Sequence, residues 1–150
     1  MKSVIGIFLV FTLFASSCTN QGKEEACATL APINPNGDSE LALLMREMFD
    51  NAMEIKKQVK NGEKPRFQVK FEAIHSATST DPKDAQSEKY AIFAQSFSAA
   101  LEQLKNSSPD DLEQKYRGFV ESCMNCHQVM CPGPMVRIKK LYLPKTKETN

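Results

Sequence analysis

The chain has 150 residues, 41% apolar and 25% charged, with 5 Cys, 2 His and no Trp. That length holds one domain and little more, and ordinary apolar content with only 6 Gly and 8 Pro excludes the disordered and fibrous classes. Lys and Arg number 19 against 18 Asp and Glu, so no net field attracts nucleic acid, and five cysteines cannot all pair with one another.

Residues 1–18 read MKSVIGIFLVFTLFASSC: Lys2, an apolar run over 4–14, then the small residues Ala15, Ser16 and Ser17 before Cys18. The run is shorter than the roughly 20 residues that span a bilayer as a helix, so the pattern predicts an export signal rather than a membrane span. The segment Ala15-Ser16-Ser17-Cys18 resembles the lipobox of bacterial lipoproteins. That resemblance implies cleavage after residue 17, acylation of Cys18, and a periplasm-facing protein anchored in the membrane by its lipid. With Thr19 rather than Asp next, it favours the outer membrane. Two or three acyl chains anchor stably where one does not. Residues 18–37 are polar and rich in Pro, Asn and Gly, and read as a tether that contains Cys27.

Four helical segments follow. Over 38–61 the apolar positions Leu41, Leu44, Met45, Met48, Phe49, Ala52, Ile55 and Val59 recur at steps of three and four, with Asp38 or Ser39 as N-cap and Asn61-Gly62 as stop. A shorter second segment after Lys64-Pro65 carries Phe67, Phe71 and Ile74. The third opens at Asp81-Pro82 and runs to about Lys105 through Ala85, Phe93, Phe97, Ala100, Leu101 and Leu104. The fourth opens at Ser108-Pro109-Asp110-Asp111 and carries Leu112, Tyr116, Phe119, Val120 and Cys123, before Pro132-Gly133-Pro134 ends it. No stretch alternates with period two. The expected fold is all-α, an antiparallel four-helix bundle over 38–131.

The most specific feature is Cys123-Met124-Asn125-Cys126-His127. On a helix Cys123 and His127 are i and i+4, on one face, with Cys126 bordering it. Two thiols can then bond the two vinyl groups of one haem while the imidazole reaches its iron. Export before haem attachment suits such a chain. A thioredoxin-like dithiol sits at a helix start in a βαβ setting. A zinc site wants four N or S ligands, and a disulfide across two cysteines three apart in a helix is strained. The expectation is one haem c per chain, held by Cys123 and Cys126 with His127 on the iron.

With this pentapeptide on the last of four helices, residues 38–131 resemble the cytochrome c′ family, the class II c-type cytochromes. Lys60-Asn61-Gly62-Glu63-Lys64-Pro65 also looks like that family's K-G-E-x-P turn with one residue inserted. The family commonly ends shortly after its histidine. Here QVMCPGPMVRIKKLYLP follows, and the resemblance does not account for it.

The iron's sixth position separates two functions. A side chain there suits electron transfer, whereas an open face binds NO or CO, as in cytochromes c′ proper. In family members with a methionine ligand it lies on helix one about four turns before the turn motif. That implies Met45, with Met48 and His75 as lesser candidates. Met53 is out of phase with the stripe, Met124 lies within the attachment loop, and Met130 and Met135 follow His127 on its own side. Leu41, Leu44, Phe49, Phe93, Phe97 and Phe119 are expected as pocket wall or ordinary core.

Cys27 and Cys131 remain, in a compartment where free thiols are unusual. An up-down-up-down bundle brings the start of helix one and the end of helix four to the same end, so a Cys27–Cys131 disulfide is expected. The extension 132–150 carries Arg137, Lys139, Lys140, Lys145 and Lys147 against Glu148. It reads as a solvated surface or as a docking patch for an acidic redox partner. The functional expectation is a membrane-tethered monohaem electron carrier, not an enzyme, working with redox proteins of the envelope, with a homodimer left open. The alternatives are a gas-binding cytochrome and a non-haem thiol or metal protein of the envelope.

Overall fold

A computed structural model describes residues 39–144. The expected signal segment 1–17, the lipidated Cys18, the tether with Cys27, and residues 145–150 lie outside them. Ser39 opens the first helix by accepting the Ala42 N–H on its Oγ at 3.2 Å, and α1 (Glu40–Lys60) follows. It stops at Asn61 and at Gly62, whose φ of +69° is a left-handed conformation that costs a glycine nothing. One face of α1 buries Leu44, Met48, Ala52, Ile55 and Val59, as the spacing of the sequence predicts. The same face also buries Asn51 and Gln58.

Those two polar residues decide what comes next. Gln58 Oε1 accepts the Arg66 N–H at 2.8 Å and Asn51 Oδ1 accepts the Gln68 N–H at 2.9 Å, while Asn51 Nδ2 donates to the Arg66 carbonyl at 3.2 Å. Backbone groups that a helix would pair with one another are paired with α1 instead. The second predicted segment is therefore corrected. Residues 65–70 run without helix, and only Phe71–His75 forms one 3₁₀ turn. Phe71 still reaches the core, against the rings of Phe67, Phe97 and Phe119.

The third segment is split. Asp81 caps a single turn, α2 (Pro82–Ala85), by accepting the Lys83 N–H at 2.9 Å. Ser87 then starts α3 (Glu88–Lys105), taking the Tyr90 N–H on its Oγ at 3.1 Å. Ala94, Phe97, Leu101 and Leu104 form its buried stripe. The fourth helix, α4 (Leu112–Met130), buries Leu112, Tyr116, Phe119, Val120 and Met124, and packs extensively along α3.

The C-terminal extension belongs to the core. After Pro132–Pro134 a turn of helix, α5 (Met135–Ile138), passes into a 3₁₀ turn (Lys139–Leu141), and Ile138, Leu141 and Leu143 are buried with the helices. The buried Tyr116 hydroxyl donates to the Leu141 carbonyl at 2.9 Å, Lys56 Nζ donates to the Lys140 carbonyl at 2.7 Å, and Arg117 reaches the Leu143 and Pro144 carbonyls. The described residues are thus all-α: about 70% are helical and none lies in a strand. Among them no helix is long and apolar enough to cross a membrane.

Candidate functional site

Cys123, Cys126 and His127 fall in the last two turns of α4 and line one cavity, while Met124, between the thiols, points into the core and Asn125 is exposed. The i, i+3, i+4 spacing does this by itself once α4 is helical through Met130. Facing them are Met45 and Met48 of α1, Ile74 of the 3₁₀ turn, and Tyr90, Phe93 and Phe97 of α3. The cleft is narrow and open at its mouth. A second one shares Met45, Met48, Cys123 and His127 with it, and is walled by Phe49, Phe71 and Phe119 and by Ile138 and Leu141 of the extension.

His127 Nδ1 lies 3.0 Å from the carbonyl oxygen of Cys131. A carbonyl only accepts, so Nδ1 carries the ring proton and Nε2 keeps a free lone pair. Burial holds the ring below the usual histidine range, against the pull of that hydrogen bond. Burial also pushes the Cys123 thiol up to about 12, and the neighbouring Cys126 adds to the shift. Cys126 is raised by burial and then by Cys131. At neutral pH the site therefore presents two protonated thiols and one neutral imidazole in apolar surroundings.

A reactive redox dithiol needs surroundings that stabilise thiolate, and burial here favours the neutral thiols. Among the described residues no three His, Cys, Asp or Glu side chains gather to hold a bare metal ion. A haem asks for something different: two thiols on one side, one ring nitrogen with a free lone pair, and apolar walls. The residues present fit that group.

Met45 and Met48 both line both cavities, with Met48 the more deeply buried. His75 is exposed, its Nε2 2.8 Å from Ser98 Oγ, and lines neither cavity although the adjacent Ile74 does. Met53 and Met135 pack against the core outside both cavities. Of the expected wall residues, Phe93 and Phe97 line the first cavity and Phe49 and Phe119 the second, whereas Leu41 and Leu44 line neither. Cys131 is half-buried with a free thiol among the described residues, and its expected partner Cys27 lies outside them.

The sequence reading missed Tyr90, Ala94, Ile138 and Leu141 as cavity wall. Tyr90 precedes Phe93, Ala94 and Phe97 by three, four and seven places, so extending the helical stripe one turn back finds both Tyr90 and Ala94. Its hydroxyl donates to the Ile74 carbonyl at 2.7 Å and ties α3 to the 3₁₀ turn. No protein-family model matches the chain, and neither a curated protein nor a solved structure matches it.

Proposed function

We propose that this chain is a monohaem c-type cytochrome of the class II kind, working as an electron carrier tethered to the bacterial envelope through a lipid on Cys18. Cys123 and Cys126 would hold the haem by thioethers, and His127 Nε2 and Met45 would bind its iron. The haem would sit among the three long helices α1, α3 and α4, with the 3₁₀ turn Phe71–His75 where the second helix of the expected four-helix bundle would lie. Bound there, haem supplies a one-electron centre, and a thioether ligand would raise its potential relative to a second histidine.

One observation carries this reading. The two thiols and an imidazole with its Nδ1 already bonded converge on one apolar cavity, with methionines of α1 on the facing wall. Bonding of the non-ligating nitrogen is the usual state of a metal-bound histidine. The chain's own residues line the site with apolar side chains and orient the imidazole, and the exposed Arg137, Lys139 and Lys140 would face an acidic redox partner.

The test is to produce the full chain with haem-maturation machinery. A covalently retained haem with a c-type α-band is expected, together with the far-red band of methionine–iron bonding in the oxidised form. Met45→Ala should abolish the far-red band and Met48→Ala should keep it. No covalent haem would overturn the reading. Covalent haem that binds CO readily and lacks the far-red band would replace the carrier by a gas-binding protein.

A further inference from the structure

His127 sits near a helix end, where backbone carbonyls lose their partners and the last turn tends to fray. Here the end is tied down. Cys131 N–H still bonds the His127 carbonyl at 3.2 Å, while its own carbonyl bends back to His127 Nδ1 at 3.0 Å. The same residue therefore grips His127 through both of its backbone groups. It does so from an extended conformation, φ −158° and ψ 80°, which the following Pro132 enforces, because proline excludes the residue before it from the helical region.

Pro132 opens a segment that is itself pinned. Its carbonyl accepts the Met135 N–H at 3.1 Å, and the Pro134 carbonyl accepts Arg137 N–H at 2.8 Å and Ile138 N–H at 3.1 Å. Farther along, Tyr116 holds the Leu141 carbonyl, Lys56 holds that of Lys140, and Arg117 holds those of Leu143 and Pro144. The Arg137 guanidinium lies over the Phe49 ring at 4.7 Å. These anchors come from α1 and α4, the two helices whose residues face each other across the site.

We infer that residues 132–144 are the positioning element of His127: Pro132 turns the Cys131 carbonyl onto Nδ1, and the anchored strap keeps it there, so that Nε2 is presented in one tautomer and one ring orientation. This rests on the reading of His127 as the iron ligand and adds to it. The C-terminal extension then does more than cover the site, because it sets the basicity of the imidazole. A hydrogen bond to the far nitrogen makes the near one a stronger donor, which favours the oxidised metal.

The test uses the full chain labelled with ¹⁵N-histidine. In the haem-loaded ferrous form, the Nδ1–H of His127 should exchange slowly with solvent. Pro132→Ala lets residue 131 turn helical and should accelerate that exchange about tenfold or more, the factor that a hydrogen bond contributing about 1.4 kcal/mol confers. The midpoint potential should rise with it, since the less basic ring stabilises the oxidised iron less.

Because Pro132→Ala can loosen the whole helix end, Arg117→Gln serves as a milder variant that frees the far anchor together with the surface pair Arg117–Glu113. The same changes should appear there in smaller measure, while Lys57→Gln, on the exposed side of α1, should leave both readouts unchanged. Native rates of exchange and native potentials in both Pro132→Ala and Arg117→Gln would overturn the inference. If the native chain carries no haem, the haem reading fails separately. The tautomer is then read in the metal-free chain, where dominant Nδ1–H in the native protein and its loss in Pro132→Ala support the positioning role. A dominant Nε2–H form in the native protein overturns it.

Discussion

Residues 65–76 and residues 132–144 are built alike and serve different ends. Each is a short stretch with no more than single helical turns, laid across the long helices, and each is tied down by side chains that bond its backbone: Asn51 and Gln58 hold the first, and Tyr116, Lys56 and Arg117 hold the second. The first inserts an aromatic plug, Phe71, where the rings of Phe67, Phe97 and Phe119 meet. The second inserts Ile138 and Leu141 into the wall of a cavity and begins at the carbonyl that grips His127. Both stretches thus complete a core and wall the cavities, the first with Phe71 and Ile74 and the second with Ile138 and Leu141, but only the second is joined to a carbonyl that holds His127.

That contrast can be broken by substitution. Phe71→Ala should have the largest effect on stability, a loss of about 3–5 kcal/mol, because the ring is 1% exposed and in contact with three others. Denaturant unfolding measures it, and a loss under about 1 kcal/mol would show that the plug is not where the core gains its stability. Leu141→Ala should cost about 2–4 kcal/mol, within the range for buried leucines, since Leu141 is 2% exposed. A loose basic tail would instead lose less than about 0.5 kcal/mol on such a change.

How much of this was legible in the sequence follows from the same two regions. The stripes of α1, α3 and α4 read directly, since Leu44, Met48, Ala52, Ile55 and Val59 are buried at the spacing that the chain displays. The placement of Cys123, Cys126 and His127 on one side of a helix followed from their numbers alone. Residues 65–76 did not read correctly. Phe67, Phe71 and Ile74 have helical spacing, but the deciding contacts come from Asn51 and Gln58, which are distant in sequence. A sign was present: two amides, seven residues apart, sit on the apolar stripe of α1, where buried polar groups need partners. The charged side of the extension is exposed as expected of a solvated surface, but its buried side does not stand out in the sequence because Arg137, Lys139 and Lys140 dominate its appearance. Ile138, Leu141 and Leu143, spaced three and two apart between those charges, form the face that is buried. Long-range backbone pairing is what single-sequence periodicity does not encode, and both regions depend on it.

Asn51→Ala tests that pairing on the first region. It removes the acceptor of the Gln68 N–H and the donor to the Arg66 carbonyl, in a residue 5% exposed, and should cost about 1–3 kcal/mol. The loss should come with faster amide exchange over 66–70 and an unchanged exchange pattern at 131–138. Equal loosening of both stretches would mean that they are not independent, and the contrast between them would fail.

The smallest effect is a pH-dependent one on the same side. Glu72 of the 3₁₀ turn pairs with Lys105 of α3, and the hydrogen bond from that ammonium holds the Glu72 carboxyl below its ordinary value of 4.5. A carboxyl with a depressed native pKa binds its proton less readily when folded. The stabilisation is therefore present above about pH 4.5 and is lost as pH falls through the lower native value. The Glu72 side chain is 58% exposed, so solvent screening leaves the pair only a few tenths of a kcal/mol, about 1 at most. Glu72→Gln should reduce stability by that amount at neutral pH and low salt, and should match the native protein both at acid pH and in about 1 M salt, where charges are screened within about 3 Å. A difference that persists in salt would instead assign the effect to packing: Lys105 also lies over the Phe67 ring at 5.6 Å, and its stem rather than its charge would then hold the turn against α3.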